Sequence, residues 1–366
     1  MMNIASEHVT LSQESVLASE VYRHVDPFNF FKTFFKEGLR PDGRQLMAYR
    51  TVKVENLMNI GEVGINRSFT NDILISSIIL NAGNTHMHCS ISATLERNNK
   101  PRTSPELLKD LVTVSLTVSK HATTEIYDVN GPCINISHLV SNLLENILNS
   151  SDVLPREQFA LDYLMNSIDD PIAKQIVNSK LRWKLNVSVS CEEYDGNIMD
   201  WSVLSVVYAL LHSKLPIVFL SYDSLFNTFQ PQLITLKSVT DGEKEHFRRN
   251  ALFLNRQLRC SDYQDEFLKY VGEDQYLTKR LEISSLPYTI TFCKCMEYII
   301  LDPTREEEQI GTNISVYAKK ISNELSMDID DENIKMQLLN LMGCTGISDD
   351  EVNKLFKISR SIINKL

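Results

Sequence analysis

Hydrophobic and polar positions along this chain repeat with two periods, and the switches between them outline its elements. Phe28, Phe31, Phe34 and Phe35 recur at helical spacing, with Lys32 and Lys36 opposite. Residues 28–37 are therefore expected to form a helix with one aromatic face, stopped by Gly38. Arg40-Pro-Asp-Gly-Arg44 reads as a turn, because Pro41 presets φ and Asp42-Gly43 tolerates positive φ. From residue 50 to 95 the period shortens to two. Val52 and Val54 share a face, ILISSIIL is a buried strand, Ala82-Gly83-Asn84-Thr85 is a turn, and HMHCSISATL alternates.

The same reading continues through the second half of the chain. Residues 96–110 form a charged loop, and LVTVSLTV (111–118) a further strand. After Pro132, Ile136, Leu139, Leu143, Leu144 and Ile147 mark a helix. A strand then runs into the Asp195-Gly196 turn, followed by a helix burying Val203, Leu204, Val207, Leu210 and Leu211 and ended by Pro216. Residues 288–301 read as a strand pair and 311–318 as a strand, followed by an acidic loop at 326–332. The last helix opens with a capping box, Ser348 with Glu351 three positions on, ahead of an apolar stripe of Val352, Leu355, Phe356, Ile358 and Ile362. Residues 1–27 read as an N-terminal arm and 28–366 as one domain, with polar insertions near 155–180 and 222–280. Loose alternation of strands and helices with antiparallel hairpins predicts a mixed α+β fold.

Composition narrows the possibilities. With 366 residues and 43% hydrophobic positions there is material for a large core, and 23% charged residues is ordinary for a globular chain. The net charge of −10 disfavours a free-standing nucleic-acid binder. RNA contact then needs a local basic patch or a partner's charge. Seven cysteines, an odd number with no C-x-x-C pair, argue against a disulfide framework or structural zinc and suit a reducing compartment. The first residues lack the basic start and apolar run of a secretory signal. The longest apolar stretches, 72–80 and 203–211, fall short of the roughly 20 residues that span a bilayer.

Candidate chemistry is sparse. His86 and His88 share a strand face beside Cys89, but no third ligand lies at useful spacing, so hydrogen bonding is the simpler reading. Asp302-Pro-Thr-Arg-Glu306-Glu307-Glu308 clusters four carboxylates after a strand. Spacing alone suggests a solvated acidic loop; a cation site or a general acid is the alternative. No glycine-rich phosphate cradle and no G-x-S-x-G elbow is present. Arg248, Arg249, Arg256, Arg259, Lys279 and Arg280 concentrate positive charge in the second insertion, fewer than a continuous nucleic-acid groove needs.

Four segments, in this order, resemble the ribonuclease PH family. They are Arg40-Pro-Asp-Gly-Arg44 with Arg50 following, Gly83-Asn84-Thr85 between two strands, Tyr194-Asp195-Gly196-Asn197 before a long apolar helix, and Leu301-Asp-Pro-Thr-Arg-Glu-Glu-Glu308. The last resembles the ring subunits of the eukaryotic RNA exosome more than bacterial enzymes. The resemblance implies a two-layer βαβα duplication (the ribosomal protein S5 domain 2-like fold) with insertions. It also implies a place in a hexameric ring, beside other ribonuclease-PH-like subunits, S1/KH cap subunits and an associated catalytic ribonuclease, around a channel that threads RNA. Nucleus, nucleolus and cytoplasm are the compartments it implies.

Active members of that family shorten RNA from the 3′ end with phosphate as the nucleophile. They hold the phosphate with a Gly-Gly-Thr-Arg type loop at a helix N-terminus and use carboxylates nearby. Here the loop reads Tyr194-Asp195-Gly196-Asn197, without the Arg, and Glu192 and Glu193 lie just upstream. Asp302 and Glu308 match the acidic pair. The resemblance thus implies a degenerate site of Asp195, Asp302 and Glu308, with no metal, no cofactor and no phosphorolysis. Losing a charge-assisted clamp costs on the order of a thousandfold in rate. An active enzyme remains the alternative if Arg97 or Arg102 fills the phosphate pocket, and an RNA adaptor built on the basic insertion is a third reading. RNA contact is expected from Arg97, Lys100 and Arg102 in the loop after the 85–95 strand. Asp302 is expected to set the turn after its strand, its carboxylate accepting backbone N–H groups.

Overall fold

The computed structural model describes residues 20–57, 64–65, 72–97, 111–119, 122, 132–159, 181–216, 218–223, 228–233, 278–321, 334–342 and 346–364. The elements are α1 (Pro27–Lys36), β1 (Val52–Asn56), β2 (Gly64–Ile65), β3 (Asp72–Ala82), β4 (Thr85–Arg97), β5 (Val112–Val118), α2 (Pro132–Leu148), β6 (Leu181–Glu193), α3 (Ile198–His212) and β7 (Lys214–Pro216). They continue with β8 (Val218–Asp223), β9 (Thr228–Leu233), β10 (Thr278–Arg280), β11 (Ser285–Cys295), β12 (Tyr298–Leu301), α4 (Arg305–Ile310), β13 (Thr312–Ile321), β14 (Ile334–Met342) and α5 (Asp349–Ile363).

Two sheets carry the fold. The first has the order β1-β3-β4-β6-β5, with β2 paired to β3. All its pairings are antiparallel except β5 with β6, where α2 lies in the connection. The second is the antiparallel sheet β12-β11-β13-β14. Period-two alternation aims Met87, Cys89, Ile91 and Ala93 of β4 and Leu185, Val187, Val189 and Cys191 of β6 into one core, which α2 and α3 complete. A second core joins the other sheet to α5 through Ile290, Phe292, Ile314, Val316, Leu355 and Ile363.

Between the sheets runs α3. Eleven of its fifteen residues are buried, and it packs on β3, β4 and β11. A helix apolar all round belongs in an interior. Its first turn is therefore held at the seam between the two halves. The capping box on α5 forms as expected: Ser348 Oγ accepts from Glu351 N–H, and Lys294 of β11 holds the Glu351 carboxylate at 2.8 Å.

Three apolar positions depart from the periodic reading. On α1 it is Phe30, Phe31 and Phe35 that are buried, against Cys293, Cys295 and Ile300, while Phe28 is 52% exposed. Phenylalanines cover nearly half the turn of this helix, an arc of about 160°, so spacing alone does not choose which part of it docks. Leu139 of α2 and Leu211 of α3 also face outward, because each helix is covered on a narrower arc than its apolar residues span. Pro216 lies in β7, paired with Thr278 of β10, and α3 ends earlier at His212. Of the basic insertion only Lys279 and Arg280 are described, on β10; Arg248, Arg249, Arg256 and Arg259 lie outside the described residues, as do residues 160–180 and the acidic loop 326–332.

Candidate functional site

The four sequence signatures, spread over nearly 270 positions, meet in one place, and Arg50 stands at its centre. The guanidinium Nε donates to Asp302 Oδ2 (3.0 Å). Nη1 donates to Thr85 Oγ1 (3.2 Å) and the Asp195 carbonyl (2.6 Å), and Nη2 to Asp302 Oδ1 (2.8 Å) and the Gly196 carbonyl (3.1 Å). An arginine side chain has five N–H donors. All five are spent inside the chain. The group also lies 5.4 Å from the centre of the Trp201 ring, a cation–π arrangement that fixes its plane.

Asp302 is fully buried and carries positive φ (53°), which Asp tolerates better than most residues. It accepts five hydrogen bonds: from Arg50 N, Nε and Nη2, from Arg44 Nη1 (2.9 Å) and from Asn197 Nδ2 (2.8 Å). Burial alone would raise its carboxyl, but the Arg50 hydrogen bonds and charge, with Asn197, hold it below the ordinary carboxylate range. The expected turn is present, yet only one backbone N–H reaches the carboxylate. The rest of its partners are side chains from distant segments, so Asp302 is a hub rather than a local turn-setter.

Glycine is required at two points of this junction. Gly196 has φ +87°, and a Cβ there would sit 2.5 Å from the Pro303 carbonyl oxygen. Gly83 has φ +58°, and a Cβ would press on the Arg50 side chain at 2.9 Å. Any side chain at either position would separate the turn from the strand end it touches.

The acidic run overturns the expectation of a solvated loop. Each glutamate of α4 takes a different partner. Glu306 accepts from Arg23 Nε (2.6 Å) in the arm ahead of α1. Glu307 forms a fully buried ion pair with Arg40, whose Nε lies 2.9 Å from Oε1, and it completes a capping box with Thr304. Arg40 also donates to the carbonyls of Leu301 and Asp302. Glu308 accepts from the Tyr194 hydroxyl and from Asn197 N–H (2.9 Å). Successive positions on a short helix point about 100° apart. Three consecutive carboxylates therefore reach three different segments.

At the N-terminus of α3, where the resemblance calls for a phosphate clamp, the exposed amide is already committed: Asn197 N–H binds Glu308. The first helical residues are Ile198, Met199 and Asp200. Asp200 is buried and accepts from Asn197 Nδ2 (3.0 Å), Thr291 N (2.8 Å) and Thr291 Oγ1 (2.8 Å). Desolvation pushes its carboxyl up to about 7, against those hydrogen bonds. Desolvation likewise raises Glu308 to about 7, opposed by Tyr194 and Asn197. Asp195, at the rim, is raised by burial against the pull of Arg50. A phosphate here would face four carboxylates, with Arg44 and Arg50 both engaged by Asp302.

Other candidates lie elsewhere. His86 Nδ1 pairs with Asn81 Oδ1 (2.7 Å) and His88 Nε2 with Ser77 Oγ (3.0 Å). Arg97 ends β4, opposite Leu181, whereas the site lies at the Thr85 end of that strand. Twelve residues of strand put roughly 40 Å between them, beyond the reach of any side chain, so Arg97 does not fill the pocket. Lys100 and Arg102 lie outside the described residues. Sequence reading missed Asp200, Asn197 and the Arg40–Glu307 pair. One signal was available for the first: a single carboxylate at the head of an otherwise apolar helix needs buried partners.

Comparison with known proteins agrees with this architecture. Residues 62–216, which carry the first sheet from β2 onward, α2, α3 and β7, match the model of the 3′ exoribonuclease family, domain 1 (RNase_PH). A chain of the structure "archaeoglobus fulgidus exosome with RNA bound to the active site" superposes over 95% of this chain and 97% of its own length, with a TM-score of 0.55 at 16% identity. The fold is the mixed α+β ribonuclease PH fold. Among curated proteins, the exosome complex component rrp45 of Schizosaccharomyces pombe is 23% identical over 187 residues. That alignment takes in 51% of this chain and 52% of the relative, so the chain matches about half the length of that protein. No helix among the described residues is long and apolar enough to cross a membrane.

Proposed function

We propose that this chain is a non-catalytic ring subunit of a eukaryotic RNA exosome, which helps to enclose the RNA channel for 3′–5′ processing and turnover without cleaving RNA itself. The observation that carries this reading is the saturation of Arg50. The cation nearest the phosphate position has every N–H donor bound within the chain, and α3 opens on Ile198, Met199 and Asp200 instead of a phosphate clamp. The name of the yeast relative, an exosome complex component, and the archaeal exosome chain of the same fold support the assembly part of the reading. Exposed apolar residues near the N-terminus, Val21, Val25, Phe28, Leu39 and Met47, supply surface that a neighbouring subunit would cover. Partners are then other ribonuclease-PH-like ring subunits, S1/KH cap subunits and an associated catalytic ribonuclease, in nucleus, nucleolus and cytoplasm. Within the ring group the signature pattern is most similar to ribosomal RNA-processing protein 43.

The purified chain, given single-stranded RNA and inorganic phosphate, should release no nucleoside diphosphate. Robust release that disappears in Glu308→Gln would overturn the reading. Mass spectrometry of the intact native complex should find the chain among ring subunits, and its neighbours there distinguish a protein-43 position from that of an rrp45-like subunit.

RNA contact in this reading is local, from Arg97, Lys100 and Arg102, because a chain of net charge −10 offers a polyanion little attraction over its surface as a whole and contact has to come from a short-range basic cluster. Replacing all three by Ala in the assembled ring should leave assembly unchanged. It should weaken threading of single-stranded RNA by roughly 1–2 kcal/mol with a shallower salt slope. Wild-type salt dependence in the triple variant would reduce the subunit to a scaffold.

A further inference from the structure

We infer that the degenerate site is a proton-linked staple: Asp200 and Glu308 hold protons in the folded chain near neutral pH, and losing them weakens the seam between the two halves. The geometry carries this. The cluster contains four carboxylates, Asp195, Asp200, Asp302 and Glu308, and the two guanidiniums of Arg44 and Arg50. Both cations converge on Asp302, at 2.9 and 2.8 Å. Arg44 is shared with Asp42, and Arg50 approaches Asp195 only at 3.8 Å. Asp200 and Glu308 are left with neutral donors: Asn197 and Thr291 for one, Tyr194 and Asn197 for the other. Among the described residues, neither has a cation in ion-pair contact.

For both groups, loss of water and the charge of Asp302 favour the proton, against hydrogen-bond donors that favour the charge and, for Glu308, the more distant Arg50. Asp200, on α3, faces Tyr49, Asp302 and, on β11, Thr291; Tyr49 is itself pushed well up by burial and by the charges of Asp200 and Asp302. Glu308, on α4, faces Tyr194, Arg50 and Asp302, with buried Cys293 of β11 behind it. Asp200 is buried and Glu308 half-buried, and a carboxylate drawn out of water without a cation in contact favours its protonated form, in line with the upward shifts of both groups. Each spans the seam: Asp200 ties α3 to β11, and Glu308 ties α4 to the 194–197 turn.

The sign follows from linkage. The unfolded chain releases these protons near pH 4, where free carboxyls titrate, and the folded chain holds them until about 7. Between those values the folded state binds more protons, so stability falls as pH rises. For each such proton the folding constant falls by up to about tenfold for every unit the pH rises in that window. Carboxyls held low, such as Asp302 and Glu351, act at lower pH with the opposite sign, and the raised Asp195 is common to wild type and variants, so comparing them isolates the group replaced.

Glu308→Gln isolates the effect, because its carbonyl oxygen still accepts from Asn197 N–H and its amide donates to the Tyr194 oxygen. Urea unfolding of the full chain should be compared at steps from pH 5 to 8 for the wild type, Glu308→Gln and Asp200→Asn. The ratio of the variant's folding constant to the wild type's should rise about tenfold or more across the window for Glu308→Gln. An infrared carboxylic C=O band present at pH 6 should fade toward pH 8 in the wild type and be smaller in the variant. Variant and wild-type curves that run parallel, or no such band at pH 6, would overturn the inference. The infrared test stands even if Asp200→Asn fails to fold, because it needs only the wild type and Glu308→Gln.

Discussion

Asp302→Asn is expected to destabilise the chain by about 3–5 kcal/mol, the cost of breaking a buried ion pair by removing one partner's charge. The local-turn view of this residue would put the loss near 1 kcal/mol, one hydrogen bond's worth. The difference lies in what the carboxylate does. It neutralises Arg50, which has only 6% of its side chain exposed, and accepts from Arg44, Arg50 and Asn197 at once. An amide at this position keeps one acceptor oxygen and turns two N–H donors toward guanidinium groups. The largely buried Arg50 is then left with Asp195, 3.8 Å away at the rim, as its nearest counter-charge. Chemical denaturation at pH 7.5 measures the effect directly, and a loss below 1 kcal/mol would show that the network is not the keystone we describe. The comparison with Glu308→Gln is instructive. In an active phosphorolytic site both acidic positions would be needed for turnover. Here the first substitution should unfold the junction while the second is tolerated, so the two positions separate by stability, not by rate.

The second large effect concerns the Arg40–Glu307 pair, both of whose side chains are essentially inaccessible. Arg40→Met should cost about 3–5 kcal/mol, because it strands a buried carboxylate. Pairing it with Glu307→Leu should recover roughly 2 kcal/mol of that loss, since two apolar side chains of similar volume no longer need each other's charge. Recovery should stay incomplete for two reasons. Glu307 also closes the capping box on Thr304, worth about 1 kcal/mol, and Arg40 serves the Leu301 and Asp302 carbonyls as well. A double-mutant cycle by urea titration gives the coupling. Simple additivity of the two single losses would mean that the pair is not a coupled unit.

The two experiments probe one structural idea. A phosphorolytic site needs a cation left free for an incoming anion and carboxylates left free for proton transfer. In this chain the corresponding groups are bound to each other. Arg50 spends its N–H donors on Asp302, Thr85 and the 195–196 carbonyls, and Asp302 spends both oxygens on arginines and an asparagine. The strain of positive φ at Asn197 and Asp302 is carried by contacts that join the halves of the fold.

Much of the architecture was legible in the chain itself. Period-two patterns over 72–97 and 181–193 and the helical patterns over 132–148 and 198–212 follow from local geometry, since the side-chain direction repeats every 2 or 3.6 residues whatever the context. The α5 capping box is local too, a matter of residues three apart. The signatures at 40–44, 83–85, 194–197 and 301–308 could be picked out as four separate motifs. What only the tertiary structure decided is which charges meet. Glu306, Glu307 and Glu308 read as a solvated run because spacing along the chain says nothing about Arg23, Arg40 and Tyr194, which lie between about 110 and 280 residues away. The docking face of α1 was undetermined for the same reason: its phenylalanines satisfy more than one face, and the position of β11 and β12 selects Phe31 and Phe35. Burial of a charge depends on what the rest of the chain places around it. That is a long-range property, and it joins the 40–50, 83–85, 194–197 and 301–308 segments into one buried junction of this fold.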